Sequence, residues 1–358
     1  MNVHMSEQNK IKIGVSIGDI NGIGIEVLLK TVIDTRITEL CDIIVYGSSK
    51  ATSFHRKLLG IQDFSFNIIN DASQSNPKRA NLINCWQDEV KIDIGISTET
   101  AGKYSFVALK KAAEDLNAGK IDGLVTLPIN KHNVKQAGFE FPGHTEYLQS
   151  ITEMKESMML MVNDHLKIGF VTGHVALKDV AHAITQEKIV HKLSLLSDSL
   201  RQDFGVRKPK IAVLGLNPHA GDSGAIGHEE EKTIIPALEK ANHKGILAFG
   251  PYSADGFFGN HKYSQFDGVL AMYHDQGLIP FKSLSYDQGV NFTAGLPFVR
   301  TSPAHGTGYD IAGKNIASES SFREAIYKAL DIIRKRREFE EINANPLKIH
   351  KLSRDRGE

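Results

Sequence analysis

Short runs rich in Ile, Val and Leu alternate with segments of helical periodicity from one end of the chain to the other, and that alternation constrains the fold more than any other feature. Parallel strands need a crossover of a dozen or more residues, usually a helix, so the pattern predicts an α/β fold on a largely parallel sheet. Residues 11–16 read as a strand, followed by a glycine-punctuated turn and a helix through Val27, Leu28, Val32 and Ile33. Residues 43–46 read as the next strand. Within 98–118 the small and apolar residues Ala101, Ser105, Ala108, Leu109, Ala112 and Leu116 recur at helical spacing. Gly119 stands where that helix should stop, and 123–127 read as a buried strand. Four later runs, 168–172, 211–216, 268–273 and 290–293, share one design, a compact apolar stretch that ends in polar residues. The last helix runs through Phe322, Ala325, Ile326, Ala329, Leu330 and Ile333, with Ser321 and Glu324 at capping-box spacing. Its basic run, 334–337, reads as a solvated face.

A length of 358 residues predicts two domains, at roughly 150 residues each. Lys and Arg number 42 and Asp and Glu 42, so the charge balance gives no reason to expect nucleic acid or an anionic membrane as partner. The apolar stretch 11–29 is interrupted by Lys12, Asp19, Asn21 and Glu26, which excludes a spanning helix or a signal segment. Cys41 and Cys85 are far apart and lack C-x-x-C spacing, so a reducing cytoplasm without a disulfide framework is expected. The polar residues 1–10 are expected to be frayed and the charged tail 348–358 solvated.

Three of the apolar runs lead into histidine: His174 after 168–172, His219 after 211–216 and His274 after 268–273. Ligands collect outside the carboxyl ends of parallel strands, and three neutral imidazoles suit a divalent metal that keeps an open coordination position. Spacing alone leaves a second reading open, since a strand-end histidine often just bonds a neighbouring carbonyl and the chain has 15. Gly143-His144-Thr145-Glu146 precedes a helical pattern, and backbone N–H groups there, beside an imidazole and a hydroxyl, suit a phosphate or carboxylate. Thr145 as a plain N-cap is the alternative. Lys282, Asn291 and Arg300 add two cations and an amide in a segment suited to an anion. Two glycine loops, 18–26 and 305–310, fail the dinucleotide fingerprint, because Val27 and Ile311 occupy the third glycine position.

Taken in order, these residues resemble the 4-hydroxythreonine-4-phosphate dehydrogenase family of pyridoxal phosphate biosynthesis over nearly the whole chain. The likeness is carried by Gly18-Asp19 with Gly22-Ile23-Gly24 and Glu26, Pro128 with Lys131, Gly143-His144-Thr145-Glu146, and Thr172 with His174 and Asp179. It continues through Gly215-Leu216-Asn217-Pro218-His219-Ala220-Gly221, Ala254-Asp255, Ala271-Met272-Tyr273-His274-Asp275-Gln276-Gly277 and Gly289-Val290-Asn291. Arg300-Thr301-Ser302 and His305-Gly306-Thr307 complete it, while Ile20 and Ile25 stand where many members have Pro.

The resemblance implies two α/β/α domains with a cleft between them, similar to isocitrate and isopropylmalate dehydrogenases. The expected division is 1–128 plus 284–358 on the nucleotide side and 129–283 for metal, substrate and dimerisation. His174, His219 and His274 are then the ligands of a divalent metal (Zn, Mg or Co), and His144, Thr145, Lys282, Asn291 and Arg300 bind a phosphorylated substrate. The stretch 305–315, with His305, Gly306, Thr307 and Asp310, resembles an adenosine-binding loop for NAD. Asp255, Asp275 and Lys282 are the catalytic candidates, since a carboxylate beside a metal-bound alcohol can accept its proton or orient a ligand. The implied reaction is oxidation of 4-phosphooxy-L-threonine followed by decarboxylation, in a homodimer with a shared site. A metal-dependent hydrolase and a non-catalytic phosphometabolite binder are the rival classes.

Overall fold

The computed structural model describes residues 10–154 and 156–346. Its strands are β1 (Lys12–Ser16), β2 (Asp42–Gly47), β3 (Asn67–Ile69), β4 (Asn81–Asn84), β5 (Gly123–Thr126) and β6 (Met158–Val162). They continue with β7 (Lys167–Phe170), β8 (Lys210–Leu214), β9 (Leu247–Tyr252), β10 (Gly268–Ala271), β11 (Val290–Ala294) and β12 (Val299–Pro303). All twelve join one sheet in the order β3-β4-β2-β1-β5-β12-β11-β6-β7-β10-β8-β9. Neighbours are parallel except at β12/β11, β11/β6 and β6/β7. Three reversals leave two parallel blocks running in opposite senses, joined by an antiparallel seam. The expectation of a parallel design at 290–293 therefore fails for β11, which pairs antiparallel on both sides.

The blocks are covered by helices on both faces, which is why their strands read as unbroken apolar runs rather than alternating ones. All six residues of β2 and all four of β5 are buried. The helix Glu99–Asn117 packs on β1, β2 and β5, and the helix Ser320–Asn343 on β12, β11 and β5. Thr98 caps the former through its side chain, which accepts from the Ala101 N–H. No helix among the described residues is long and apolar enough to cross a membrane. Cys41 and Cys85 are free thiols, each pushed up to about 12 by burial.

Three local expectations are corrected. Ser321 does not cap the last helix; its hydroxyl donates to the Gly289 carbonyl at 2.8 Å and accepts from the Ala304 N–H at 2.9 Å, tying the start of β11 to the end of β12. Arg336 is not on a solvated face, because it lies two turns beyond buried Ala329. Its Nε pairs with Asp203 at 2.6 Å, and both side chains are buried. Lys10 is anchored by the Thr38 and Pro77 carbonyls. The rest of the end expected to fray, 1–9, and the tail expected to be solvated, 348–358, lie outside the described residues.

Candidate active site

The antiparallel seam carries a cleft of about 590 Å³, and the predicted residues His144, Thr145, His174, Asn291 and Arg300 all line it. Arg300 projects from β12 and is only 3 % exposed. Its Nε and Nη2 donate to Thr126 Oγ1 at 3.1 and 2.6 Å, and Nη1 donates to Thr293 Oγ1 at 3.1 Å. Burial pushes its pKa down to about 10, so the guanidinium remains charged at neutral pH. No carboxylate among the described residues pairs with it. His144 Nε2 and Asn291 Oδ1 are buried without any partner. A buried cation held only by hydroxyls, beside two unmatched polar atoms, is costly unless an anion with several oxygens completes the set.

His144 opens the helix His144–Ser150, whose N-cap is Gly143 with no side-chain cap, so Thr145 lies inside the first turn and is not the cap. Burial, then the charges of Arg300 and Lys131, hold the His144 imidazole well below the usual histidine range, leaving it neutral. Lys131, Glu146 and Lys192 also line the cleft, and the residue pattern did not single them out as site residues. Lys192 had a readable signal: it stands between Ile189 and Leu196 on a buried helix face, and burial lowers its pKa.

The other predicted residues gather at the carboxyl ends of β7, β10, β8 and β9, which are adjacent and parallel. His174, His274, His219 and Asp255 follow those four strands in that spatial order. The His174 and His274 rings are 5.8 Å apart, and His274 Nδ1 bonds Asp275 Oδ1 at 2.6 Å. Burial, with the charges of Lys131 and His274, lowers the His174 pKa and favours the neutral form that a metal requires. The Asp275 contact is the kind that fixes the tautomer of a ligating histidine. His219 follows β8, which lies two strands from β7, the strand that leads to His174. No three His, Cys, Asp or Glu side chains among the described residues come close enough to hold a metal within one chain. The Asp255 carboxyl is kept below its usual range by the Ser253 hydroxyl and the Gly256 N–H, with a smaller effect of the His219 charge. Lys282 is exposed on the helix His274–Ser285, outside the cleft.

The loop after β12 packs on the loop after β1. The Ile23 N–H donates to the Thr307 carbonyl at 2.9 Å, and a Cβ at Gly22 would stand 2.6 Å from that oxygen, so the approach requires glycine. Tyr309 donates its hydroxyl to Asp19 Oδ2 at 2.7 Å. The same oxygen accepts from Asn133 Nδ2 at 2.7 Å, and Oδ1 accepts from the Asn21 N–H at 2.9 Å. Asp19, which the sequence showed as an interruption of an apolar stretch and as part of the resemblance, thus stitches this loop to the helix that begins at Lys131. His305 Nε2 is buried without a partner, while Gly306 and Asp310 are exposed and a Cβ at Gly306 would meet nothing within 4 Å.

Residues 39–329 match the family model described as pyridoxal phosphate biosynthetic protein PdxA. The chain belongs to this family. Within it, the chain is 50% identical over 343 residues to the 4-hydroxythreonine-4-phosphate dehydrogenase of Bacteroides thetaiotaomicron, covering 96% of this chain and 94% of that one. The crystal structure of 4-hydroxythreonine-4-phosphate dehydrogenase from Klebsiella pneumoniae superimposes with a TM-score of 0.79 at 31% identity, covering 91% of this chain and 100% of that one. A relative from Oceanobacillus iheyensis named as a putative D-threonate 4-phosphate dehydrogenase is 38% identical over 324 residues, covering 89% of this chain and 97% of that one. The α/β fold and the dehydrogenase class expected from the sequence agree with these matches.

Proposed function

We propose that this chain catalyses the NAD-linked, metal-dependent oxidation of 4-phosphooxy-L-threonine to 2-amino-3-oxo-4-phosphooxybutanoate, followed by decarboxylation to 3-amino-2-oxopropyl phosphate. The observation that carries the reading is Arg300, a buried cation that no carboxylate among the described residues contacts and that feels only the more distant charge of Glu146, facing the same cleft as the unmatched His144 Nε2 and Asn291 Oδ1. A phosphate monoester supplies the missing charge and acceptors. Neutral His144 donates from Nε2 and Thr145 from its hydroxyl, while Lys282, outside this cleft in its own chain, would add a further cation only from a partner subunit.

His174, His219 and His274 would hold a divalent ion, Zn²⁺, Mg²⁺ or Co²⁺, whose chemistry here is to lower the pKa of the substrate C3 hydroxyl. NAD, seated against His305, Gly306, Thr307 and Asp310, would supply the hydride acceptor. Asp255, kept ionised by the Ser253 hydroxyl, is the candidate to take the hydroxyl proton, and Asp275 orients His274. His174 and His274 stand 5.8 Å apart but no third ligand joins them among the described residues, which fits a homodimer whose site is shared between subunits. We assign 1–128 plus 284–358 to the nucleotide side and 129–283 to the metal and dimer side, in a cytoplasmic enzyme.

A second substrate, D-threonate or D-erythronate 4-phosphate, is favoured by the Oceanobacillus relative, since the same phosphate site would serve any four-carbon phosphorylated hydroxy acid. NADH formation across a panel of such acids, with and without added divalent metal, tests both readings. Fastest turnover of 4-phosphooxy-L-threonine with metal is the expected result, and phosphate release without NADH would overturn the dehydrogenase reading.

A further inference from the structure

Beyond β8 the chain enters a conformation that L-residues seldom adopt. His219, Ala220, Gly221, Asp222 and Ser223 have φ of 53°, 52°, 82°, 43° and 54°, a continuous left-handed turn with one glycine in five. Such a run persists only where its surroundings over-determine it. Its ends are tied locally: the Ala220 N–H reaches the Asn217 carbonyl at 3.1 Å, the Ala225 N–H that of Asp222 at 3.1 Å, and the Ile226 N–H that of Gly221 at 3.0 Å.

The stronger hold comes from Glu230, which is 2 % exposed. Its Oε1 accepts from the N–H groups of Leu216 and Asn217 at 2.7 and 2.8 Å, and its Oε2 accepts from Asn217 Nδ2 at 2.9 Å. Glu229 Oε2 accepts from the same Nδ2 at 2.7 Å. Consecutive residues of an α-helix do not face one point, but 230–234 is a single wide π-turn, a local device found often at functional sites. The left-handed turn rests directly on this carboxylate, since a Cβ at Gly221 would lie 2.7 Å from Glu230 Oε2. No cation among the described residues pairs with Glu230, so its buried charge is balanced by these three donors.

We propose that Glu230 is a positioning residue: its carboxylate locks the turn 219–223 and so fixes the direction in which His219 leaves β8, before any cation arrives. The inference rests on the reading of His219 as a metal ligand. Without the carboxylate, the Leu216 and Asn217 N–H groups lose their acceptor and the turn relaxes toward ordinary right-handed geometry, which swings the imidazole away. The strand itself, held by β10 and β9, is not affected.

The test titrates metal-free, full-length protein with Co²⁺, followed by calorimetry and by the visible absorption of the bound ion. Glu230→Gln places an amide donor against Asn217 Nδ2 and is expected to weaken Co²⁺ binding by about 10- to 100-fold, the range of losses behind a metal ligand. The metal-free melting temperature should move little. Adding Ala220→Gly, which removes the cost of positive φ at that position, should recover most of the affinity. An affinity within about twofold of wild type in Glu230→Gln overturns the proposal, at a resolution of roughly 0.4 kcal/mol. So does a weakened variant that Ala220→Gly fails to rescue, because Glu230 would then act by charge and not through the turn. Asn217→Ala, which removes one donor and no charge, is expected to weaken binding about three- to tenfold. Unchanged binding in that variant overturns the proposal even where Glu230→Gln does not fold. His219→Ala separates the two levels: if it binds Co²⁺ like wild type, the ligand assignment itself fails. If His219→Ala loses the ion and Glu230→Gln does not, only the positioning role fails.

Discussion

The cleft over the seam and the histidine edge of the second block are built to different degrees within one chain. In the cleft, Arg300 is fixed by hydroxyls from the two strands beside it, and its neighbours His144 and Asn291 hold buried atoms with nothing to bind. At the edge, His219 is exposed and His274 partly so, and although the His174 and His274 rings stand 5.8 Å apart, no third ligating side chain among the described residues joins them. The cleft is thus preorganised by the sheet, while the histidine edge is not closed into a ligand set among the described residues. Preorganised groups should fail steeply and locally when altered. Groups that meet across subunits should fail together and be recoverable by mixing.

The largest effect is expected at Arg300. Breaking a buried charge pair by removing one partner costs about 3–5 kcal/mol, so Arg300→Ala should lower kcat/KM for the phosphorylated substrate by on the order of 10² to 10³ or more. Lys cannot reach both Thr126 and Thr293 with one ammonium, and Arg300→Lys should recover only part of the loss. A loss below about tenfold for the alanine variant would remove the contrast between the two regions.

Mixing subunits tests the other side of the comparison. His144→Ala and His219→Ala should each be inactive alone. If the two residues reach one site from opposite subunits, a fully exchanged mixture holds half heterodimers with one intact site in two, or about a quarter of wild-type activity. Subunit exchange is checked by mass-tagged chains. A monomer in light scattering at assay concentration would break the shared-site reading outright.

The legible parts of the molecule were those whose strands are buried on both faces. β1, β2, β5, β7, β8 and β10 announced themselves as apolar runs, and their polar ends located every histidine at issue. The seam was legible only in part. The run 290–293 read as a strand, but β12 carries Arg300 and Pro303 and β6 is largely methionine, so neither has the β-branched signature of a strand, and at the far edge β9 is interrupted by Gly250-Pro251. The anion-binding residues were therefore legible one by one, while the cleft that gathers them over the seam was not. The polar scaffold was illegible for another reason: Asp19 and Tyr309 are 290 positions apart, and no local pattern marks a hydrogen bond that only the closed fold creates.

A smaller effect is expected in cofactor choice. Asp310 is exposed beside open Gly306, in the loop assigned to NAD. Its carboxylate can accept from ribose hydroxyls and would repel the 2′-phosphate of NADP. Two unit charges ~5 Å apart repel by about 3 kcal/mol at an effective dielectric near 20, and solvent at this exposed position reduces that figure. Asp310→Asn should therefore narrow the ratio of kcat/KM for NAD over NADP by roughly tenfold, while leaving the KM for the phosphorylated substrate alone. An unchanged ratio would show that Asp310 does not make the choice.

The smallest effect lies in the proton economy of the cleft. His144 is held well below its ordinary value of 6.5, first by burial and then by the charges of Arg300 and Lys131. As pH falls through 6.5 the unfolded chain binds a proton at this residue and the folded chain does not. The stability contributed by neutral His144 is thus fully present above that value and declines below it, toward the lower folded pKa. Between about pH 7.5 and 6 the linked loss is under roughly 1 kcal/mol, read as the difference in pH slope between wild type and His144→Gln in urea denaturation. The ligand-free protein is the right sample, because a substrate phosphate has its own ionisation near pH 6 and would mask the effect. Arg300→Lys keeps a charge near His144 and should leave the slope nearly unchanged, whereas Arg300→Ala removes one repulsive cation but not the burial. If burial is the larger cause, His144 in Arg300→Ala still titrates below 6.5 by NMR. A return to 6.5 would mean that Arg300 alone kept the imidazole neutral.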